Sequence, residues 1–482
     1  MLRLLMIADD FTGALDTGVQ LAAHGIPTQV VVGQADLSAC SSTVLVVDTE
    51  TRHLSAAKAA EAVARLTRSA VENGVGCIYK KTDSALRGNI GAELAALLKA
   101  SGARNLPFLP AFPQIGRTTK KGVHYIDGVP VNESPFGIDP VRCAEVTKLI
   151  HLQTDMPAQN LRPGETAADK TGILVYDAAT AADLEAAGRQ LFQNGTPPVL
   201  AGCAGFAAFL PELLGLSDGS VVEVPQLDPR LLVLCGSVNP ITLRQMDTAE
   251  KAGFTRLRLT PRQKLEPGYW ASADGKAALA EIEAMLAANP RCIIETNDAG
   301  GNQLTADYAA ARGIDLDGLR VGISGSVGQM FGALFGSEHL GTLLLTGGDT
   351  LLQCMNSVGA RELEPVCELE SGIVLARFAY QGRTRYVITK SGGFGQEDLL
   401  VELADKLSKG SRDALSEKTE WVLHSISCRA AIKAGDKTGA AEMLALAQHI
   451  MDGTIPPFCP HGRPCVLKIT RKELEKQFGR LV

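Results

Sequence analysis

Short β-rich runs that end in Gly, Ser, Thr or Asp turns and pass into Ala- and Leu-rich stretches recur along this chain, and that alternation restricts the fold more than any other feature. Residues 2–8 lead to Asp9-Asp10-Phe11-Thr12-Gly13 and a helix expected over about 14–24. Residues 43–47 lead to Asp48-Thr49-Glu50-Thr51-Arg52 and a helix from about Ser55, and residues 75–81 lead to Thr82-Asp83-Ser84 and a helix beginning near Gly91. The rhythm returns at 172–176 and 198–201. Strands joined through helices need crossover connections, so the expected sheets are mainly parallel and covered by helices. Ligands of such sheets sit beyond the carboxyl ends of the strands. The turn residues are therefore site candidates by position alone.

At 482 residues the chain is long enough for roughly two to four domains. A polar, Pro-containing stretch near 221–230 reads as a boundary. A second α/β unit follows, with strands expected at 231–235, 291–296, 341–346 and 385–390 and a closing helix at 397–407. The polar stretch 408–420 reads as a linker. The expected architecture is two α/β domains with mainly parallel sheets facing a shared cleft, 1–225 and 226–408, followed by a small α+β C-terminal appendage at 409–482. Between 116 and 132 the pattern changes: Asp127-Gly128 flanked by Tyr125-Ile126 and Val129-Pro130-Val131 predicts a hairpin, a small flap near the first site.

Composition narrows the function classes. A formal charge of −6 carries no nucleic-acid footprint over the whole chain. No apolar run reaches the roughly 18 residues of a membrane span. Eleven scattered cysteines, an odd number, and an N-terminus without a secretory pattern predict a reducing, cytoplasmic setting without a disulfide framework.

Three strand-to-helix junctions of the second unit are rich in small residues: Cys235-Gly236-Ser237-Val238-Asn239-Pro240, Thr346-Gly347-Gly348-Asp349-Thr350 and Lys390-Ser391-Gly392-Gly393-Phe394-Gly395. Glycine lets backbone N–H groups approach an anion, and a helix start adds unpaired donors. Any one such turn also occurs for packing reasons; three at successive strand ends can surround one polyphosphate. Neither a G-x-x-x-x-G-K-[ST] loop nor a G-x-G-x-x-G turn after a strand is present, which disfavours P-loop and dinucleotide readings.

The first unit's loops differ in chemistry. They carry Asp9, Asp10, Thr12, Arg52, Lys81, Asp83, Ser84, Arg87 and Asn89. A polyhydroxy acid needs a cation for its carboxylate, and Arg52 or Arg87 offers a bidentate fork. Asp10 and Asp83 can accept hydrogen bonds from hydroxyls, and either is a candidate general base. The same aspartates are also ordinary helix-start residues.

At these motifs the sequence resembles the four-carbon acid sugar kinase family. The carrying segments are Ile7-Ala8-Asp9-Asp10-Phe11-Thr12-Gly13-Ala14, Lys81-Thr82-Asp83-Ser84-Ala85-Leu86-Arg87-Gly88-Asn89, Thr346-Gly347-Gly348-Asp349 and Lys390-Ser391-Gly392-Gly393-Phe394-Gly395, in the expected order over about residues 1–407. The resemblance implies an N-terminal substrate domain, a C-terminal nucleotide domain, and transfer of the ATP γ-phosphate, with Mg²⁺, to the terminal hydroxyl of a four-carbon acid. The wording is closer to the D-threonate and D-erythronate kinases; a 3-oxo-tetronate kinase or a non-catalytic sugar-acid-binding relative are the alternatives. Carried over by position, Asp10, Arg52, Lys81, Thr82, Asp83, Ser84 and Arg87 fall on the substrate, with Asp83 and Asp10 catalytic. Ser237, Gly347, Gly348, Asp349, Thr350, Gly392, Gly393, Phe394 and Gly395 fall on ATP. A homodimer is also implied.

From about Trp421 the chain departs from that family. Ser427-Cys428-Arg429-Ala430-Ala431-Ile432-Lys433-Ala434-Gly435, Cys459-Pro460-His461-Gly462-Arg463-Pro464 and Phe478-Gly479-Arg480 resemble the end of the C-terminal endonuclease domain of the MutL mismatch-repair family. Cys428, Cys459 and His461 are zinc-type ligands. The acidic D-Q-H-A-x-x-E-R-x-x-Y-E motif is absent from the chain, so nuclease activity and a nucleic-acid partner are not expected. A fused fragment, a gene-boundary artefact or a dimerising appendage accounts for such a tail.

Overall fold

The run LLMIA at Leu4–Ala8 is buried at every position, as a strand covered on both faces must be. Its alternate side chains go to opposite sides: Leu4, Met6 and Ala8 join one core, and Leu5 and Ile7 the other. The computed structural model describes residues 2–134, 141–166, 170–216, 222, 224–408 and 448. Cys428, Cys459, His461 and the other tail motifs lie outside the described residues. Contacts divide the chain into a first unit, Met1–Lys409, and a second, Gly410–Val482; the described strands all lie in the first.

The first half of that unit runs β1 (Leu4–Ala8), α1 (Phe11–Ala22), β2 (Thr28–Val32), β3 (Val44–Asp48), α2 (Ala56–Glu72), β4 (Cys77–Lys81), α3 (Ile90–Ser101), β5 (Asn105–Leu109), β6 (Arg117–Lys120), β7 (Val123–Ile126), β8 (Val129–Pro130), α4 (Val146–His151), β9 (Ala158–Leu161), β10 (Gly172–Tyr176), α5 (Ala181–Phe192), β11 (Val199–Gly202), α6 (Ala204–Ala207) and α7 (Leu210–Leu213). Helix α2 shows why these segments are helical. Ser55 caps it by accepting from the Lys58 N–H, and Ala59, Val63, Leu66 and Ala70 bury one stripe.

The second half runs β12 (Leu231–Cys235), α8 (Pro240–Lys251), β13 (Thr255–Arg258), α9 (Pro261–Leu265), α10 (Ala273–Ala288), β14 (Arg291–Glu295), α11 (Gln303–Ala310), α12 (Leu316–Leu334), β15 (Thr342–Thr346), α13 (Gly348–Ser357), β16 (Glu362–Glu370), β17 (Ile373–Tyr380), β18 (Arg383–Lys390) and α14 (Leu399–Ser408). The expected strands of both halves are present within a residue or two. The Asp127-Gly128 hairpin is β7–β8, part of a small three-stranded sheet with β6.

Strands β2-β3-β1-β4-β11-β5-β10-β9 are parallel throughout, and so are β13-β14-β12-β15-β18. Sequence periodicity did not anticipate the antiparallel β16 and β17, which extend the second set. The first residues of β16 then pair antiparallel with β2, Glu362 opposite Val31 and Leu363 opposite Val30. The two expected sheets are thus joined into one of fifteen strands.

Strand direction reverses across this joint, so a flat sheet would hold the two sets of carboxyl ends at opposite edges. The joint is only two residue pairs wide, and β16 has register breaks between Pro365 and Cys367 and between Glu368 and Glu370; such breaks bend a strand. Helix α1 lies in the bend. A Cβ at Gly18 would stand 3.2–3.3 Å from Val30, Val46 and Pro365, side chains from both halves. One apolar core runs on from Leu4 and Leu15 to Leu232 and Leu345.

Candidate active site

Asp10 occupies the N-cap position of α1, yet its side chain makes no capping bond. Its carboxylate turns instead to charge. Arg52, from the loop after β3, reaches Asp10 through both terminal nitrogens at 2.8 and 3.0 Å and Asp9 through Nε at 2.8 Å. Lys81, the last residue of β4, places Nζ 3.2 Å from Asp10, and Thr12 donates to Asp10 at 2.8 Å. The ordinary capping role considered for Asp10 therefore does not apply.

Asp83 is held in the same way. It accepts from Arg87 through Nε and Nη2, both at 2.8 Å, and from the backbone N–H groups of Ala85 and Arg87; Arg52 stands 3.5 Å away. Burial by itself would raise both carboxyls. The Arg52 and Lys81 charges override it at Asp10, and the Arg87 and Arg52 charges at Asp83, so both are held well below the usual carboxylate range. They are ionised acceptors ready for hydroxyl hydrogen bonds. Their low basicity makes the general-base role a poor match for either. Arg52, expected to clamp a carboxylate, has its fork engaged by Asp9 and Asp10, so an incoming acid has to share or displace those contacts.

Behind this layer Lys80 and Glu93 form a buried ion pair at 3.0 Å, and the Thr51 hydroxyl donates to Glu93 at 2.5 Å, anchoring the loop that carries Arg52. The β6–β7 flap closes on the loop after β4. Arg117 donates to the Ser84 hydroxyl at 3.1 Å, and His124 bonds the Ser84 carbonyl at 2.9 Å through Nε2. Burial lowers the His124 pKa to about 4. The ring is therefore neutral, donating from Nε2 and accepting at Nδ1 from Thr119 at 3.0 Å. Sequence patterns gave no sign of Arg117, Glu93 or Lys80; only the change of rhythm at 116–132 pointed toward the flap.

In the second half, neighbouring parallel strands β12, β15 and β18 bring their carboxyl-end loops side by side. Gly347 adopts φ +107°, and a Cβ there would stand 3.1 Å from Gly236 C and Ser237 N. A Cβ at Gly236 would overlap Thr350 Oγ1, and one at Gly392 would stand 2.8 Å from Ser237 Oγ. Thr242 donates to the Gly392 carbonyl at 2.7 Å. Lys390, whose pKa burial lowers to about 8, reaches Thr242 at 3.1 Å. Ser237, Gly347, Gly348, Thr350 and Gly392 are thus gathered at the start of α13, where first-turn N–H groups favour an anion. The Asp349 carboxylate pairs with Arg320 at 2.9 and 3.0 Å. Phe394 and Gly395 turn elsewhere: the Phe394 ring covers Gly372, and a Cβ at Gly395 would meet Leu399 and Gln245.

The two groups of loops meet. A Cβ on Gly348 would stand 3.6 Å from Thr12 Oγ1 and 4.0 Å from Asp10 Oδ2. Ser391 donates to Asp16 of α1 at 2.6 Å. Among the described residues the buried hydroxyls of Thr82 and Thr346, one at each set of strand ends, have no hydrogen-bond partner.

A family model described as a sugar-binding N-terminal domain matches residues 4–210, and one described as a nucleotide-binding C-terminal domain matches 232–400. A sugar-binding half joined to a nucleotide-binding half is an arrangement suited to a small-molecule kinase, and the curated relatives are named as kinases. A D-threonate kinase of Salmonella typhimurium is 30% identical over 423 residues, spanning 83% of this chain and 97% of its own. A 3-oxo-tetronate kinase of Methylobacterium radiotolerans is 26% identical over 439 residues, spanning 84% and 100%. A crystal structure from Salmonella typhimurium LT2 shares the fold, with a TM-score of 0.66 at 21% identity over 84% of this chain and 99% of that one. The chain belongs to the four-carbon acid sugar kinase family. Among the described residues no helix is long and apolar enough to cross a membrane.

Proposed function

We propose that this chain transfers the γ-phosphoryl group of ATP to the terminal hydroxyl of D-threonate or D-erythronate, giving the 4-phosphate. The approach of Gly348 to Asp10 and Thr12 carries the reading, because it sets an anion-favouring helix start beside ionised hydroxyl acceptors. The family membership and the D-threonate kinase relative support the substrate class.

Phosphoryl transfer of this kind depends mainly on positioning and charge neutralisation. Asp10 and Asp83 orient the acid's hydroxyls. Lys81 and the guanidinium groups of Arg52 and Arg87 balance its carboxylate and the charge that gathers on the transferred group. The amides at 347–348 and around Ser237 and Gly392 hold the phosphates. Among the described residues no three His, Cys, Asp or Glu side chains come together to hold a metal. Mg²⁺ bound with the triphosphate would supply shielding of the phosphate charge, and the Asp10 carboxylate, which faces Gly348, would be the described carboxylate best placed beside it. A homodimer and a cytoplasmic setting belong to the same reading, and light scattering on purified protein checks the first.

An ADP-release assay with D-threonate, D-erythronate and the 3-oxo-tetronates tests the activity. Release with the first two and little with the third supports the assignment. Preference for a 3-oxo acid moves it to the other subfamily, and no release with any four-carbon acid removes it.

A further inference from the structure

Among the described residues, two oxygens of one carboxylate on α1 have contrasting fates. Asp16 Oδ2 accepts from the Ser391 hydroxyl at 2.6 Å, while Oδ1 is buried and has no hydrogen-bond partner. A buried acceptor left unpaired costs stability, so packing alone is a poor reason for a carboxylate here. Nor does Asp16 complete the ion-pair cluster, since Arg52 and Lys81 are already engaged by Asp9 and Asp10. Its one strong partner is Ser391, the residue before Gly392 in the glycine-rich turn.

That turn is tied to α1 by a closed circuit. The Ser391 N–H donates to the Gly372 carbonyl at 3.0 Å, and the Gly372 N–H donates to Glu368 at 2.9 Å. Gln20, one helical turn beyond Asp16, donates to the other Glu368 oxygen at 3.3 Å and to the Asp16 carbonyl at 3.2 Å. Asp16 and Gln20 therefore hold both ends of a link from the sugar-side helix to the nucleotide-side loop. The link lies on the helix whose first residues present Thr12 and Gly13 to the pocket.

We propose that Asp16 is a positioning residue: through Ser391 it ties the 391–395 turn to α1 and so holds the phosphate loops in register with the Asp10 and Lys81 pocket. This role deepens the kinase reading and rests on it.

A double-mutant cycle tests it on the full chain. Binding of a non-hydrolysable ATP analogue is measured by calorimetry, and kcat and KM by ADP release, for Asp16→Ala, Ser391→Ala, the double variant and Asp16→Asn. Each single alanine variant is expected to weaken nucleotide binding about tenfold, and the pair together about tenfold again instead of a hundredfold. KM for the acid is expected to move far less than KM for ATP. Asp16→Asn recovers most of the loss, because its amide oxygen still accepts from Ser391. Unchanged binding in both singles, losses that multiply, or an Asn variant as weak as the Ala variant overturns the role. Ser391→Ala removes only a hydroxyl, so it carries the test should Asp16→Ala fail to fold. A wild-type protein that binds the analogue but phosphorylates no four-carbon acid refutes the kinase reading and leaves the link to be judged by binding alone.

Discussion

Lys81 Nζ occupies the space that a side chain on Gly13 would need: a Cβ built on Gly13 overlaps the ammonium group and the Asp10 carboxylate beside it. The glycine sits in the first turn of α1, where alanine is normally the better helix former by about 0.5–1 kcal/mol. Helix formation and the pocket therefore make opposite demands on this position.

Gly13→Ala should keep the fold while displacing Lys81 from Asp10. The expected result is a far-ultraviolet circular dichroism spectrum like that of the wild type and a kcat/KM for the acid lowered about a hundredfold. Wild-type kinetics would place the pocket elsewhere.

Asp83→Ala leaves Arg52 and Arg87 facing each other without their shared counter-charge. Removing one partner of a buried ion pair costs about 3–5 kcal/mol, so the variant should unfold at lower denaturant and lose most turnover. Urea titration and ADP release read the two effects separately.

Gly347→Ala forces an L-side chain into φ +107°, a strain of about 1–3 kcal/mol, and pushes on Gly236 and Ser237. KM for ATP should rise about tenfold while KM for the acid stays near its wild-type value. Equal changes in both would argue against a phosphate role for this turn.

Asp16 gives stability a pH dependence. Burial raises its pKa from 3.8 to about 7, with Ser391 and Lys81 opposing and Asp10 and Glu368 adding to the rise. Between those values the folded state holds a proton that the unfolded state has released, so stability declines as pH climbs from about 4 to 7 and the contribution is gone above 7. At about 1.4 kcal/mol per unit the full shift is worth about 4 kcal/mol, and partial solvent contact reduces this to about 2 kcal/mol. Asp16→Asn should therefore gain stability over the wild type at pH 8.5, with only about a third of that gain at pH 5, as read by melting temperature.

Lys80→Met strands the Glu93 carboxylate in the interior, which should cost about 3–5 kcal/mol, whereas Lys80→Met combined with Glu93→Leu should recover much of it. Denaturant titration decides. Because Glu93 also holds Thr51, activity in the double variant should stay low even where stability returns.

Local chemistry in the chain was enough to predict the α/β rhythm, the strands at β1, β4, β12 and β15, and the loops around Asp10, Asp83, Gly347 and Gly392. Period, capping and turn residues act over a few positions, so they can be read in order. What lies between those loops could not be read that way. The sheet joint at Glu362 and Val31, the bend of β16 over α1, the Ser391 to Asp16 link and the closure of Arg117 on Ser84 connect residues far apart in the chain. Only burial of the shared core around α1 selects those pairings, and burial is a property of the whole folded chain. The sequence by itself therefore determined which loops bear the acidic, basic and glycine-rich residues; tertiary packing decided that Asp10 stands beside Gly348, with its carboxylate committed to Arg52 and Lys81 instead of to the end of its own helix.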